Sequence, residues 1–496
     1  AMANGGIIGT VNNPTSTTAT GVWQQEEQYE AKVTDTWPQR ALFTTKSCRF
    51  NDGSSDNLSR STGTPSSRQK FTFSTWIKLS SVSGNRSIFN IETDGNTTLF
   101  FMVKNGDQLH FVDYNSSAEK AKLTTTAVYR DPSAWYHVVL RLDSTQGTNT
   151  NRCRLYVNGE QITSFSATVY PSQNYNFTNN VGNTRIGVSQ GNANYWDGYI
   201  TESIFIDGQS LAPTSFGVAN SDGVWTPIIY SGTYGTNGFN LQFEDAAALG
   251  TDSSPNGNTF TVNNLTSIDQ STDYPVVNYS TFNPLSKNDA GTVTFSNGNL
   301  TVAHSGSDSR YAAYSAIGAA NGKWYMEIKI DAMSGTDVIV GVGSNVEEIN
   351  RLGTYYGTGS DPTSVGYFAS DGDKYIDDVA SSYGNSFAVG DIIGIAMDLD
   401  NNKLYFSKNG TFQNSGNPTS GATGTGAIAL TANLTYFMGA SHATTTTRTS
   451  TYSGNFGSPS FAISSSNADG NGYGNFEYAV PSGYYALNTA NLAEFG

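Results

Sequence analysis

The chain has 496 residues, a formal net charge of −15 and an isoelectric point near 4.6; its 26 basic residues are scattered, which argues against nucleic acid or an anionic membrane surface as the main partner, because both reward clustered Lys and Arg. With 52 Gly, 12% aromatic and only 14% charged residues, the composition points to short strands joined by many turns, an all-β class. No run approaches the ~18 apolar residues of a membrane helix, and the start AMANGGIIGTVNNPT has neither the basic stretch nor the apolar core of a signal peptide, so neither membrane insertion nor secretory export is expected.

Residues 1–45 hold few apolar side chains and no alternation, so they cannot bury a core of their own. They read as an extended arm starting close to a natural N-terminus and held by a partner or by the neighbouring domain, with Trp23, Tyr29 and Trp37 as the assembly anchors. Residues 46–217 form the first domain, with strands KFTFSTWIKLS, SIFNIETDG and TLFFMVKNGDQLHFVDY. Within it Val138, Leu140 and Leu142 share one parity, a polar loop spans 144–151, Leu155 and Val157 resume, and Asn158-Gly159 supplies a tight turn. Cys48 and Cys153 read as buried, reduced small hydrophobes, their pairing left open.

A connector with short strands, at 239–243 and 260–262, occupies 218–285. The last domain, 286–496, repeats the hairpin at 389–412. Ile393, Ile395, Met397 and Leu399 share the inward parity, opposite Gly394, Ala396 and Asp398; Leu404 and Phe406 return, and Asn409-Gly410 closes. The expectation is two separate β-sandwiches with Leu140, Leu142, Ile395, Met397, Leu404 and Phe406 buried.

Catalytic patterns are absent from the sequence. His110, His137, His304 and His442 lack metal-ligand spacing, and no G-x-S-x-G occurs. Glu327-Ile-Lys329-Ile-Asp331 is spaced as acids on one strand face would be, but Lys329 stands where a glycosidase would want a carboxylate. Asp371-Gly-Asp373 and Asp398-Leu-Asp400 are explained by turn chemistry. No catalytic residue, metal or cofactor is assigned. The ligand-binding candidates are Tyr355 and Tyr356, on a Gly-rich loop, with Asp371, Asp373 and Tyr375: rings for stacking beside polar groups.

FSTWI (73–77), WYHV (135–138), LYVNG (155–159) and WDGYI (196–200) together resemble a laminin G-like, concanavalin A-like jelly roll. Thr201 precedes Glu202 where such domains commonly place an acid directly, so no calcium site is carried over. GKWYMEI (322–328), VGVG (340–343), VGY (365–367), VGDIIG (389–394), LYF (404–406) and YFMGA (436–440) resemble the successive strands of a SPRY domain. With the connector, the order resembles surface and appendage proteins of marine bacteriophages. That resemblance implies a non-enzymatic, homo-oligomeric virion or tail-fibre protein. Its arm would join other virion proteins, and its loops would bind a host-surface glycan or protein. The alternatives are a decorating structural protein without a receptor role, and a glycan depolymerase.

Overall fold

The structure is a computed structural model that describes residues 44–285, 292–306, 311–344, 363–377, 379–442 and 448–496. Trp23, Tyr29, Trp37, Tyr355 and Tyr356 lie outside the described residues.

The first sandwich packs two eight-stranded sheets. One runs, edge to edge, Glu160–Gln161, Cys153–Val157, Trp135–Asp143, Lys70–Leu79, Gly198–Asp207, Ser47–Phe50 and Gln270–Ser271, with Phe239–Leu241 pairing the far end of Gly198–Asp207. The other runs Phe165–Val169, Ala118–Val128, Gln108–Asn115, Thr97–Val103, Arg86–Asp94, Gly182–Ile186, Asn57–Thr62 and Thr261–Asn263. Alternation places Phe73 and Phe89 on facing inner surfaces, where their rings stack 4.2 Å apart. The strands of 218–285 do not float between domains: Phe239–Leu241, Thr261–Asn263 and Gln270–Ser271 extend both sheets, and Phe239 and Phe260 enter the same core. Cys48 and Cys153 are free and buried.

The outer face of the first sheet is capped by the hairpin Gly217–Ala219 and Trp225–Pro227. Indole N–H can only donate, so Trp225 Nε1 at 2.9 Å makes His137 Nδ1 the acceptor and leaves Nε2–H to donate to Ser74 Oγ at 2.8 Å. Gly159 is required twice over: its φ is +85°, and a Cβ there would lie 2.7 Å from the Trp225 ring.

The second sandwich pairs a nine-stranded sheet with a six-stranded one. The larger runs Thr292–Ser296, Thr301–Gly306, Arg448–Asn455, Lys323–Met333, Ile392–Asp398, Lys403–Lys408 and Thr411–Phe412, flanked by Ile428–Ala429 and Tyr485–Ala486. The smaller runs Tyr311–Tyr314, Phe437–His442, Val338–Gly343, Val365–Phe368, Asp373–Ile376 and Val379–Ser382. Leu140, Leu142, Ile395, Met397, Leu404 and Phe406 are all fully buried, and the two cores are separate clusters.

The opposite parity of the second hairpin is buried too. Ala396 packs with Tyr325, Tyr405, Phe476 and Tyr484, because the chain after residue 456 returns across the outer face of the nine-stranded sheet. Glu327 fastens it: the carboxylate accepts the backbone N–H of Glu477 (2.9 Å) and Tyr478 (2.8 Å), Asn455 Nδ2 (3.1 Å) and the Tyr325 hydroxyl (3.2 Å). Lys329 pairs with Asp331 at 2.9 Å. The strand weighed as a carboxylate pair is therefore occupied by structural bonds.

The sandwiches meet through polar contacts around 273–279 and 297–299. Lys78 Nζ donates to Asp273 Oδ2 (2.7 Å), Asn278 Oδ1 (2.7 Å) and the Tyr279 carbonyl (2.9 Å), while the Tyr199 hydroxyl donates to the Gly298 carbonyl at 3.0 Å.

Candidate ligand-binding face

In Thr97–Val103 and Gln108–Asn115 the inward positions Leu99, Phe101, Val103, Leu109 and Phe111 are fully buried. The period of two then sends Phe100 and Met102, and His110, Val112 and Tyr114, to the opposite face of the sheet. Ser59, Arg185, Asn90, Phe100, Val112 and Lys122 are successive cross-strand partners on this face. At ~4.8 Å per strand the row is roughly 24 Å long.

The loop after Gly182–Ile186 rises over this row and divides it. Gln190 reaches the turn at Gly95, its Nε2 standing 3.6 Å from where a Cβ would be. On one side lies a cavity of about 370 Å³ lined by Phe100, Met102, Lys104, His110, Asn85 and Asn194, sharing Phe100 and Gln190 as walls with a second hollow beside Asn96 and Tyr114. Phe100 is the middle ring of three, 5.7 Å from His110 and 5.9 Å from Tyr114. On the other side an amide-rich cavity of about 610 Å³ includes Asn57, Asn183, Asn192, Asn263, Arg185 and Tyr195.

The acids on this face are already paired. Arg185 holds Glu92, and Lys122 holds Glu119 at 2.6 Å, with the Tyr114 hydroxyl donating to the same Glu119 at 3.1 Å. His110 bonds Thr124 Oγ1 through Nδ1 at 2.8 Å. Burial, then the charges of Lys104 and Lys122, push its pKa down to about 4, so at neutral pH it offers an uncharged ring.

Residues 52–211 match the concanavalin A-like lectin/glucanases superfamily model, and residues 323–444 match the SPRY domain model. The chain carries a concanavalin A-like domain and a SPRY domain. A 97-residue stretch is 36% identical to Ran-binding protein 9 of Homo sapiens and of Danio rerio, covering 19% of this chain and 12% and 15% of those proteins; the chain thus spans less than a fifth of the curated relatives it matches. Among solved structures it is similar to a putative carbohydrate binding protein from Bacteroides ovatus (16% identity, TM-score 0.33, 46% of this chain and 60% of that one). It is also similar to the SPRY domain of human HERC1 (17% identity, TM-score 0.26, 35% and 96%).

The open face with its three rings belongs to the concanavalin A-like domain. In the SPRY domain, Asp371 is exposed and its Oδ1 accepts the Asp373 N–H at 2.9 Å, the turn chemistry that sequence implied. Asp373 is half-buried. Tyr375 is not an exposed stacking ring: it is buried edge-on to Phe368 at 5.5 Å, among Ala312, Tyr314 and Ile339. Phe100, His110 and Tyr114 carried no signal of their own in sequence, because their strands hold large residues at both parities. The described residues contain no group of three or more His, Cys, Asp or Glu placed to hold a metal ion.

Proposed function

We propose that the chain is a non-catalytic carbohydrate-binding protein that takes a glycan across the open face of its concanavalin A-like domain. The observation that carries this is the Phe100 ring set between His110 and Tyr114 in a groove rimmed by side-chain amides. Apolar sugar faces stack on rings while hydroxyls bond amides, and a mostly apolar floor with a few polar groups is what a small-ligand site requires. Glycoside hydrolysis needs two carboxylates free to act on either side of a bond; Glu92 and Glu119 are each held by a cation, which supports binding without catalysis.

Attachment of a virion to a host surface, with residues 1–45 joining other virion proteins, is the setting this proposal adopts from the domain order. A shallow single site with Kd around 1 mM, about −4 kcal/mol, becomes effective when several copies engage together, with a gain of roughly 10² to 10⁴.

Glycan-array and calorimetric binding by the intact chain, compared with Phe100→Ala, tests the site. Phe100→Ala should keep its circular dichroism spectrum and lose most binding. Unchanged binding by a folded variant rejects this face. A Tyr355→Ala, Tyr356→Ala double variant is the second arm, and loss there alone moves the site to the SPRY domain.

A further inference from the structure

The aromatic cavity contains a charge that the fold does not use. Lys104 follows the strand Thr97–Val103, is half-buried, and lines the cavity with Phe100, His110, Asn85 and Asn194. Two neighbouring cations on this face are paired, Arg185 with Glu92 and Lys122 with Glu119, whereas the Lys104 ammonium meets no carboxylate among the described residues. Other cations, such as Lys46, Lys120 and Lys403, also stand without an ion pair among the described residues; what sets Lys104 apart is its place in a ring-lined hollow, beside Phe100 and His110. The groups beside it extend its chemistry. Asn85 spends its Oδ1 on the Asn105 N–H at 2.8 Å, which leaves the Nδ2 amide as donor, and Asn194 Nδ2 donates to Ser189 Oγ at 3.0 Å. Gln190 contributes a further amide at the boundary with the second hollow.

We propose that the glycan taken by this face is acidic: a uronate-type hexose lies on Phe100 and its carboxylate is received by Lys104 and the Asn85 amide. This rests on the carbohydrate reading above and adds the substrate class. An ammonium paired with a carboxylate in a partly desolvated hollow forms a charge-assisted hydrogen bond about twice as strong as a neutral one, and Lys suits a single-point contact where Arg would demand a bidentate fit. The Arg185–Glu92 pair shows that the same face already holds a carboxylate beside a cation, here from within the protein. Neutral sugars would stack equally well on Phe100 but would leave the ammonium facing only water.

The test is titration calorimetry of the full chain with glucuronate, galacturonate and mannuronate tetramers and with the same tetramers after carboxyl reduction to neutral sugars. The expected result is that at least one uronate tetramer binds about 10-fold more tightly than its reduced form, and that raising salt from 50 to 500 mM weakens only the uronate. Lys104→Met should bring the uronate down to the neutral level while leaving the neutral tetramer unchanged, and Lys104→Arg should restore part of the difference. If neutral and acidic tetramers bind alike, and Lys104→Met changes neither, the acidic class is overturned while the carbohydrate reading stands. If no tetramer binds and Phe100→Ala is silent on the glycan array, both fall.

Discussion

Replacing Lys78 by Met removes a cation with 0% exposure and leaves its shape roughly filled. Three acceptors then lose their donor: the Asp273 carboxylate, the Asn278 side-chain oxygen and the Tyr279 carbonyl. Asp273 keeps two partners, Trp135 Nε1 at 2.9 Å and the Tyr279 backbone N–H. Breaking one half of a buried ion pair costs about 3 to 5 kcal/mol, and each neutral orphan adds about 1 to 3 kcal/mol. Because the three share one donor the terms do not simply add, and a loss of about 5 kcal/mol is expected. The penalty has a pH signature. Burial raises the Asp273 pKa, opposed by Lys78 and its hydrogen bonds; without Lys78 the opposition weakens and the carboxyl takes a proton more readily. A raised folded-state pKa means stability lost as pH rises, so Lys78→Met should be less destabilised at pH 5 than at pH 8. Adding Asp273→Asn removes the orphan charge and should recover about half of the loss. Urea unfolding of the full chain, followed by circular dichroism at both pH values, measures this. A loss below about 1.5 kcal/mol, equal at the two pH values, would refute the buried pair as the junction's main fastening.

His137 is held neutral, its pKa pushed down to about 3 by burial; between that value and the ordinary ~6.5 the unfolded chain binds the proton and the folded one does not. Stability therefore falls as pH drops below ~6.5, and the advantage of wild type over His137→Gln should shrink by about 2 kcal/mol between pH 7 and pH 5, at ~1.4 kcal/mol per unit, read from urea midpoints. Glu327→Ala leaves the Glu477 and Tyr478 N–H groups without their acceptor. Chymotrypsin should then cut rapidly at Phe476 or Tyr478, while the wild type resists, with cleavage sites identified by mass spectrometry.

The hairpins at 135–159 and 389–412 were legible because alternation, polar turns and Asn-Gly pairs are local: Asn158 and Asn409 do adopt positive φ, 49° and 48°, and the large residues at one parity had to be buried somewhere. The sequence also carried the strands at 239–243 and 260–262. What it left open was every question of what lies against what. Ala396 and Asp398 read as the outward parity of Ile392–Asp398, yet both are fully buried, because a segment about 80 residues later in the chain returns over them; no local pattern encodes that cover. Tyr375 looked like an exposed ring, yet it sits edge-on to Phe368 of the neighbouring strand, among Ala312, Tyr314 and Ile339 from elsewhere in the sheet. Phe100, His110 and Tyr114 form a row because two neighbouring strands align in register, and Arg185 finds its acid, Glu92, on another strand. Periodicity follows from the chain's own stereochemistry, whereas the cover over Ala396 and the Arg185–Glu92 pair depend on contacts between residues far apart in sequence, which only the folded structure specifies.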